Sequence, residues 1–200
     1  MHIAGKSGSE DMITMILQTG ADPNQRDKNS LKPLNSASQS LNFSVFKILV
    51  EKTKDPQALD SLYRNVIHYL CSCKDIPDGL MATLLNLFKS LGFNFNISDS
   101  FGKLPIHYFN KYCSQNKASF EIIMDNTINL DHEDNTGQTP VMILAKSTRN
   151  MTVLKTFILK IRNLSKVDIH GRNLLSNIIE NNKDKLDNEI INFFKNKNVT

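Results

Sequence analysis

An internal period of about 33 residues constrains the fold of this chain more than any other feature of its sequence. Apolar residues at equivalent positions recur at intervals of 33, 33, 39, 35 and 34 residues: Met1, Leu34, Ile67, Ile106, Val141 and Leu175. Such a period indicates a stack of small, similar units in which each unit packs against its neighbours. The period therefore predicts one elongated domain rather than two globular ones.

The content of one unit can be outlined from residues 1–24, MHIAGKSGSEDMITMILQTGADPN. The small residues Ala4 and Gly5 follow an apolar start and predict a short helix with one closely packed face. A glycine then marks a turn, and the apolar spacing over residues 13–17 predicts a second helix. Gly20 ends this helix and begins an exit turn. Each unit is thus expected to be a helix-turn-helix.

Two later segments repeat the opening of a unit most clearly. Residues 99–107 read DSFGKLPIH, and residues 134–141 read DNTGQTPV. Together with residues 1–24, these segments resemble the ankyrin repeat, whose units open with an Asp-x-x-Gly-x-Thr-Pro-Leu-His pattern. The resemblance implies an all-α solenoid of about six helix-turn-helix repeats with short β-hairpin loops. The expected units, which form a single ankyrin-repeat domain, are approximately residues 1–26, 27–59, 60–98, 99–133, 134–167 and 168–200.

Local signals predict how the units begin. Pro33 and Pro140 suit the first turn of a helix, and Asn65 and Thr139 are suitable N-cap residues. Aspartates recur at one position near the start of a unit: Asp27, Asp99, Asp134 and Asp168. We expect their carboxylates to hold tight turns rather than to act as acids or bases.

The third and fourth units are longer than the others. Their extra residues predict long loops between the two helices, at residues 75–79 and 111–119. The apolar residues between 186 and 194 predict the last helix. Polar residues around that helix are typical of the solvent-facing end of a stack.

Composition narrows the classes of function. The net charge is +4, and the lysines are spread along the chain, so no basic tail for nucleic acid is expected. The three cysteines Cys71, Cys73 and Cys113 suggest no disulfide framework and favour a reducing environment. We find no signal-peptide pattern and no apolar run of about 18 residues. We therefore expect an intracellular protein, cytoplasmic or nuclear, without membrane contact.

His68 and His107 occupy the histidine position of the resemblance, which implies hydrogen bonds to the backbone between neighbouring repeats. A zinc site on His68, Cys71 and Cys73 is the alternative, but it lacks the second ligand pair of zinc modules. No phosphate-binding glycine loop and no nucleophile–base arrangement stands out. We therefore expect no metal, no cofactor and no enzymatic activity.

The resemblance implies partner binding without chemistry, by a monomeric adaptor or inhibitor. We expect another protein to bind the concave face, which consists of the loop tips and the outer sides of the first helices. The candidate partner-binding residues are Tyr69, Phe101, Lys103, Tyr108, Lys111, Tyr112, Gln138 and Lys146. Tyrosine is frequent in interface hot spots, and Phe101 is a large apolar residue at a loop tip.

Other interpretations stay open. The aromatic residues of the third and fourth units could pack against the long loops instead of a partner. The same face could bind nucleic acid or a small ligand, but basic and aromatic residues interleave only at Tyr108, Lys111 and Tyr112. The array could also be the docking domain of a larger enzyme.

Overall fold

The computed structural model describes residues 1–38, 40, 42–113, 115–148, 150–181, 192 and 194. Helices dominate this part of the chain and follow one another in short pairs. Their bounds are α1 His2–Ser7, α2 Glu10–Gln18, α3 Pro33–Ala37, α4 Phe43–Lys52, α5 Val66–Cys71, α6 Asp78–Ser90, α7 Pro105–Tyr112, α8 Lys117–Asp125, α9 Pro140–Ser147, α10 Met151–Ile158 and α11 Leu174–Asn181.

The described residues contain no β-strand, and Val167 and Asn173 form an isolated antiparallel bridge. The helical class predicted from the sequence is therefore confirmed for this part of the chain. The short β-hairpins and the number of six repeats stay predictions.

The helices form two layers. In one layer, the first helix of each pair packs against the first helix of the next, from α1 through α3, α5, α7 and α9 to α11. In the other layer, α2 packs on α4 and α6 packs on α8. These contacts join neighbours in the stack, which is the arrangement expected of a solenoid.

Phenylalanine rings connect successive second helices. Phe46 of α4 meets Phe88 of α6 edge to face, with ring centroids 6.2 Å apart. Phe120 of α8 lies 5.9 Å from Phe157 of α10 and 6.2 Å from Phe109 of α7. All five side chains are buried. Aromatic pairs of this kind contribute about 0.5–1.5 kcal/mol beyond the area that they bury.

Helices begin at the positions that the local signals predict. Pro33 and Pro140 are the first residues of α3 and α9. Asn65 caps α5, because its Oδ1 accepts a hydrogen bond from the N–H of Ile67 at 3.1 Å. Thr139 has the extended backbone of an N-cap, but its buried hydroxyl has no hydrogen-bond partner among the described residues. Its prediction as the N-cap residue is therefore confirmed, although its side chain does not bond to the helix end.

The two predicted long loops are shorter than expected. The helix α6 begins at Asp78, inside the predicted loop 75–79, and it has 13 residues. Likewise, α7 extends to Tyr112 and α8 begins at Lys117, so both enter the predicted loop 111–119. Part of the extra length of the third unit therefore lengthens its second helix.

Asp78 explains why the loop predictions failed. Its Oδ2 accepts a hydrogen bond from the N–H of Ala118 at 3.0 Å, and its Oδ1 accepts one from the N–H of Ser119 at 3.1 Å. The carboxylate at the start of α6 thus satisfies two N–H groups in the first turn of α8, which have no partner within their own helix. This contact joins residues about 40 positions apart, and no local signal predicts it.

The predicted last helix falls mostly outside the described residues. Its apolar positions Leu186, Ile190, Ile191 and Phe193 lie there, whereas Phe194 is described and buried.

Candidate partner-binding face

Five turns built in the same way connect successive helix pairs. Each begins with an aspartate whose Oδ1 accepts hydrogen bonds from the backbone N–H groups two and four residues later, at 2.8–3.0 Å. The aspartates are Asp27, Asp60, Asp99, Asp134 and Asp168. The third residue after each aspartate has a left-handed φ between 60° and 73°. The aspartates hold these Asp turns as predicted, and Asp60 belongs to the same set.

The Asp turns stack on one another. In each pair of neighbouring turns, the later turn donates one backbone hydrogen bond to the earlier turn. The donor is the N–H of the residue that directly follows the later aspartate, and the acceptor is the carbonyl oxygen two residues after the earlier aspartate. These hydrogen bonds join Ser61 to Asn29 at 3.2 Å, Ser100 to Leu62 at 2.9 Å, Asn135 to Phe101 at 2.9 Å and Ile169 to Thr136 at 3.0 Å. The turns therefore form a continuous ridge. We call this ridge, together with the adjacent outer sides of α5, α7 and α9, the turn face.

Histidines connect the first helices to this ridge. The Nε2 of His2 lies 2.8 Å from the carbonyl oxygen of Leu31, and the Nε2 of His68 lies 3.1 Å from that of Lys103. The Nδ1 of His68 lies 3.2 Å from the backbone nitrogen of Asn65 and 2.8 Å from the Asn65 Oδ1, so the ring joins the N-cap of its own helix to the next Asp turn. The predicted backbone bridge of His68 is thereby confirmed.

His107 occupies the corresponding position in the next unit. Its Nδ1 accepts a hydrogen bond from the N–H of Leu104 at 3.0 Å, and its ring interacts with the backbone of Gln138 in the next Asp turn, where His68 meets Lys103. The contact is looser than that of His68, because Nε2 makes no hydrogen bond of good geometry in the described part of the chain. Burial lowers the pKa of His68 and of His107 to about 4. Both rings are therefore neutral near pH 7 and serve the fold.

Two of the predicted tyrosines bind Asp turns. The Tyr69 hydroxyl donates to Asp60 Oδ2 at 2.5 Å, and the Tyr108 hydroxyl donates to Asp99 Oδ2 at 2.5 Å. Arg64 also donates to Asp60 Oδ2, from Nε at 2.9 Å and from Nη2 at 2.8 Å. Burial raises the pKa of Asp60, but hydrogen bonds from Tyr69 and Arg64 outweigh it, so the net pKa is lowered. Burial, and then the bond to the carboxylate, raises the pKa of both tyrosines.

The next Asp turn lacks such a hydroxyl. Ile143 stands nine residues after Asp134, where Tyr69 and Tyr108 stand nine residues after their aspartates. The buried Oδ2 of Asp134 has no hydrogen-bond partner among the described residues, and its nearest ion-pair partner is Lys103 Nζ at 3.6 Å. This carboxylate is therefore less completely satisfied than the two before it.

Lys146 and Gln138 are in contact between the turns of Asp134 and Asp168. Lys146 Nζ donates to Gln138 Oε1 at 3.0 Å and lies 3.6 Å from Asp168 Oδ2. Arg172 donates to the same Asp168 oxygen from Nη2 at 2.8 Å. Burial raises the pKa of Asp168, but the hydrogen bonds from Arg172 outweigh it and keep the carboxyl ionised.

Tyr112 lies between two ammonium groups. Lys111 Nζ is 4.9 Å and Lys74 Nζ is 5.3 Å from the centroid of its ring, within the range of cation–π attraction. Lys74 belongs to the segment between α5 and α6, so Tyr112 contacts a loop, as the alternative interpretation expects. Tyr69 and Tyr108 contact the Asp turns instead.

Two large side chains at the tips of neighbouring turns are exposed to solvent. Phe101 is 51% exposed, as expected for a residue at a loop tip, and Tyr63 is 61% exposed. Tyr63 has a φ of 60°, at the position where three other Asp turns have glycine. Sequence analysis missed Tyr63, because the glycine that marks the turn is absent there. An alignment of the five aspartates would have revealed it.

The three cysteines, Cys71, Cys73 and Cys113, are free thiols within or next to the core. The Cys113 thiol donates to the Cys73 carbonyl at 3.1 Å. Burial raises the pKa of Cys113 to about 12, so this thiol is protonated near pH 7. Among the described residues, no group of His, Cys, Asp or Glu side chains could hold a metal ion. No helix of this part is both long and apolar enough to cross a membrane.

Residues 1–50, which include α1 to α3 and most of α4, match the family model for ankyrin repeats in many copies. The match confirms the predicted ankyrin-repeat family over residues 1–50. No curated protein matches the sequence. Ankyrin repeats are in general protein–protein interaction modules and are typically non-catalytic. The Asp turn that follows the first ankyrin helices recurs as far as Asp168, so the same local structure extends well beyond the matched residues.

Proposed function

We propose that this chain is a non-catalytic adaptor or inhibitor that binds a partner protein on the turn face. In this proposal it is an intracellular monomer, built as one domain of six repeats with the unit bounds given above. The general function of ankyrin repeats supports the class of activity. The three free cysteines support the reducing environment of the cell interior.

One observation carries the choice of face: Tyr63 and Phe101 are exposed on neighbouring, hydrogen-bonded turns. A left-handed φ costs a residue with a side chain roughly 1–2 kcal/mol, and Tyr63 has this φ without entering the core. The Asp turn imposes this φ at Ser30 as well, so the support for a site comes from the large exposed ring at a position that glycine occupies in three other turns. A partner that covers both rings gives the Tyr63 ring a role in binding.

The surroundings of these rings support binding as well. The Tyr69 and Tyr108 hydroxyls are held by buried carboxylates, and Lys103 and Lys146 are each paired with an aspartate. Side chains that are ordered before binding lose less conformational entropy when a partner arrives. The turn face is therefore prepared for a partner before contact.

A site-specific cross-linking experiment tests this proposal. A photoreactive aromatic amino acid replaces Phe101 in one preparation and Leu91 in another. Leu91 is a matched control, because it is 48% exposed and directly follows α6 in the other layer. In an extract of the source cells, we expect discrete covalent adducts with a partner protein from position 101 and none from position 91.

Competition then checks that the adduct reports specific binding. An excess of the unmodified chain should abolish the adduct, whereas an excess of the Tyr63→Ala/Phe101→Ala variant should leave most of it. Equal adducts from both positions, or equal competition by both proteins, would contradict the proposal. Alanine at Tyr69 or Tyr108 is avoided, because it breaks a hydrogen bond to a buried aspartate and affects folding and binding together.

A further inference from the structure

Four cations lie along four consecutive Asp turns and pair with three of their aspartates. Arg64 pairs with Asp60, and Arg172 pairs with Asp168. Between them, Lys103 is the fourth residue after Asp99. The turn of Asp134 has the neutral Gln138 at this position, and Lys146 reaches from α9 to within 3.0 Å of the Gln138 amide oxygen.

We call this set the cationic row: Arg64, Lys103, Lys146 and Arg172. The four side chains remain 25–33% exposed, whereas the aspartates with which they pair have side chains no more than 1% exposed. A molecule that approaches the face therefore meets guanidinium and ammonium groups rather than carboxylates. The aspartates fix the cations in position without being available to a ligand.

Lys74 and Lys111 add two ammonium groups next to the Tyr112 ring. Among the described residues, three further acidic side chains lie close to these cations or to the turns. Asp75 follows Lys74, Glu180 lies at the end of α11, and Glu133 is paired with Lys166 at 3.3 Å. The exposed charged groups of the row are thus cations, whose charge the buried aspartates balance, and Tyr63 and Phe101 are the exposed rings of the same face.

We propose that the turn face binds an extended acidic segment of its partner protein, with carboxylates on the cationic row and an apolar side chain against Tyr63 and Phe101. This inference rests on the proposed function and names the chemistry of the partner. Packed helices lie about 8–10 Å apart, and an extended peptide rises about 3.3 Å per residue. Cations of neighbouring turns therefore match acidic residues about three positions apart. Lys146 and Arg172, which share Asp168 Oδ2, lie closer together and can face the same carboxylate.

The four turns that carry these cations are spanned by about ten residues of extended chain. Each contact is an exposed ion pair, which by itself contributes little and weakens as salt increases. Four such pairs with fixed cations, together with two exposed rings, form a site for one continuous segment. The binding energy is therefore distributed over several turns rather than concentrated in one pocket.

Selection from a display library of random peptides of about 12 residues tests this inference on the full chain at low ionic strength. We expect the enriched peptides to carry Asp or Glu at three-residue spacing with at least one aromatic or aliphatic residue. We also expect binding of the best peptide to the Lys103→Gln/Lys146→Gln variant to be weaker by about tenfold or more. The matched control, Lys47→Gln/Lys89→Gln, removes two exposed lysines of α4 and α6 and should bind like the parent.

A charge-preserving variant separates binding from folding. Lys103→Arg/Lys146→Arg retains both cations and should retain peptide binding, and circular dichroism checks that every variant is folded. Enriched peptides without an acidic pattern would overturn the inference, as would equal loss of binding in the control variant. Tighter binding of a single-stranded oligodeoxynucleotide than of the selected peptides would also overturn it.

A library without any enriched peptide would overturn the acidic-segment inference as well. That result would leave the broader proposal standing, because cross-linking at position 101 detects a folded partner surface too. A missing adduct at position 101 would instead refute the broader proposal. The two experiments thus fail in distinguishable ways.

Discussion

Replacing Tyr63 with glycine should stabilise the chain while weakening partner binding. Tyr63 has a φ of 60° and is 61% exposed, so its ring contributes little to the core. Glycine removes the cost of the left-handed backbone, roughly 1–2 kcal/mol. Glycine also increases the conformational entropy of the unfolded chain, which lowers the free energy of unfolding by about 0.5–1 kcal/mol. The expected net change is a gain of about 0.5–1 kcal/mol in the free energy of unfolding.

Urea denaturation followed by circular dichroism measures this gain. The midpoint should rise with an unchanged denaturant slope, because the substitution alters stability rather than the surface exposed on unfolding. For a chain of this size, the melting temperature should rise by about 1–4 °C. Ser30→Gly is the matched control, since Ser30 has a φ of 61° in the first Asp turn. It should give a similar gain in stability and leave cross-linking at position 101 unchanged.

A loss of stability in Tyr63→Gly would refute this reasoning. It would mean that the Tyr63 ring contributes more to the fold than its exposure indicates. The argument that its strained position serves a partner would then fail. Increased stability with unchanged partner binding would support the claim that the left-handed φ of Tyr63 destabilises the chain. It would contradict the claim that the Tyr63 ring binds the partner.

Three further outcomes follow from the turn face. Gly102→Ala should destabilise the chain more than Gly171→Ala, although both glycines have a left-handed φ. A Cβ at 102 would lie 2.9 Å from the backbone nitrogen of Asn135 in the next turn, whereas no atom of the described residues lies within 4 Å of a Cβ at 171. Urea denaturation should show a loss of about 1–2 kcal/mol at 171 and a larger loss at 102. Because His68 and His107 have a pKa of about 4 in the folded chain and about 6.5 when unfolded, stability should be complete above pH 6.5 and fall as the pH approaches 4. The loss between pH 7 and 4.5 should be about 2 kcal/mol for each histidine, and glutamine at either position should flatten the profile. Ile143→Tyr should place a hydroxyl next to the buried Oδ2 of Asp134, as Tyr69 and Tyr108 do at their aspartates, and stabilise the chain by about 0.5–1.5 kcal/mol. A decrease in the melting temperature would contradict this.

Much of the fold could be predicted, because the interactions within one unit are local. An aspartate that binds N–H groups two and four residues later, a proline in the first helical turn and an asparagine cap all act within a few residues. Such interactions leave a pattern that the 33-residue period repeats. For this reason the stack, the first helices and the position of the Asp turns were visible in the sequence alone.

The roles of the face residues were decided by the tertiary structure. Whether Tyr108 points to a partner or to Asp99, and whether Lys146 reaches Asp168, depends on how closely neighbouring units pack. Asp78 shortens the predicted loops through a contact with residues about 40 positions away. The sequence by itself determined the repeated helix-turn-helix units of this protein, because the hydrogen bonds within a unit join residues that are close in the chain. Only packing between units decided which side chains are used inside the stack and left Tyr63 and Phe101 at its surface.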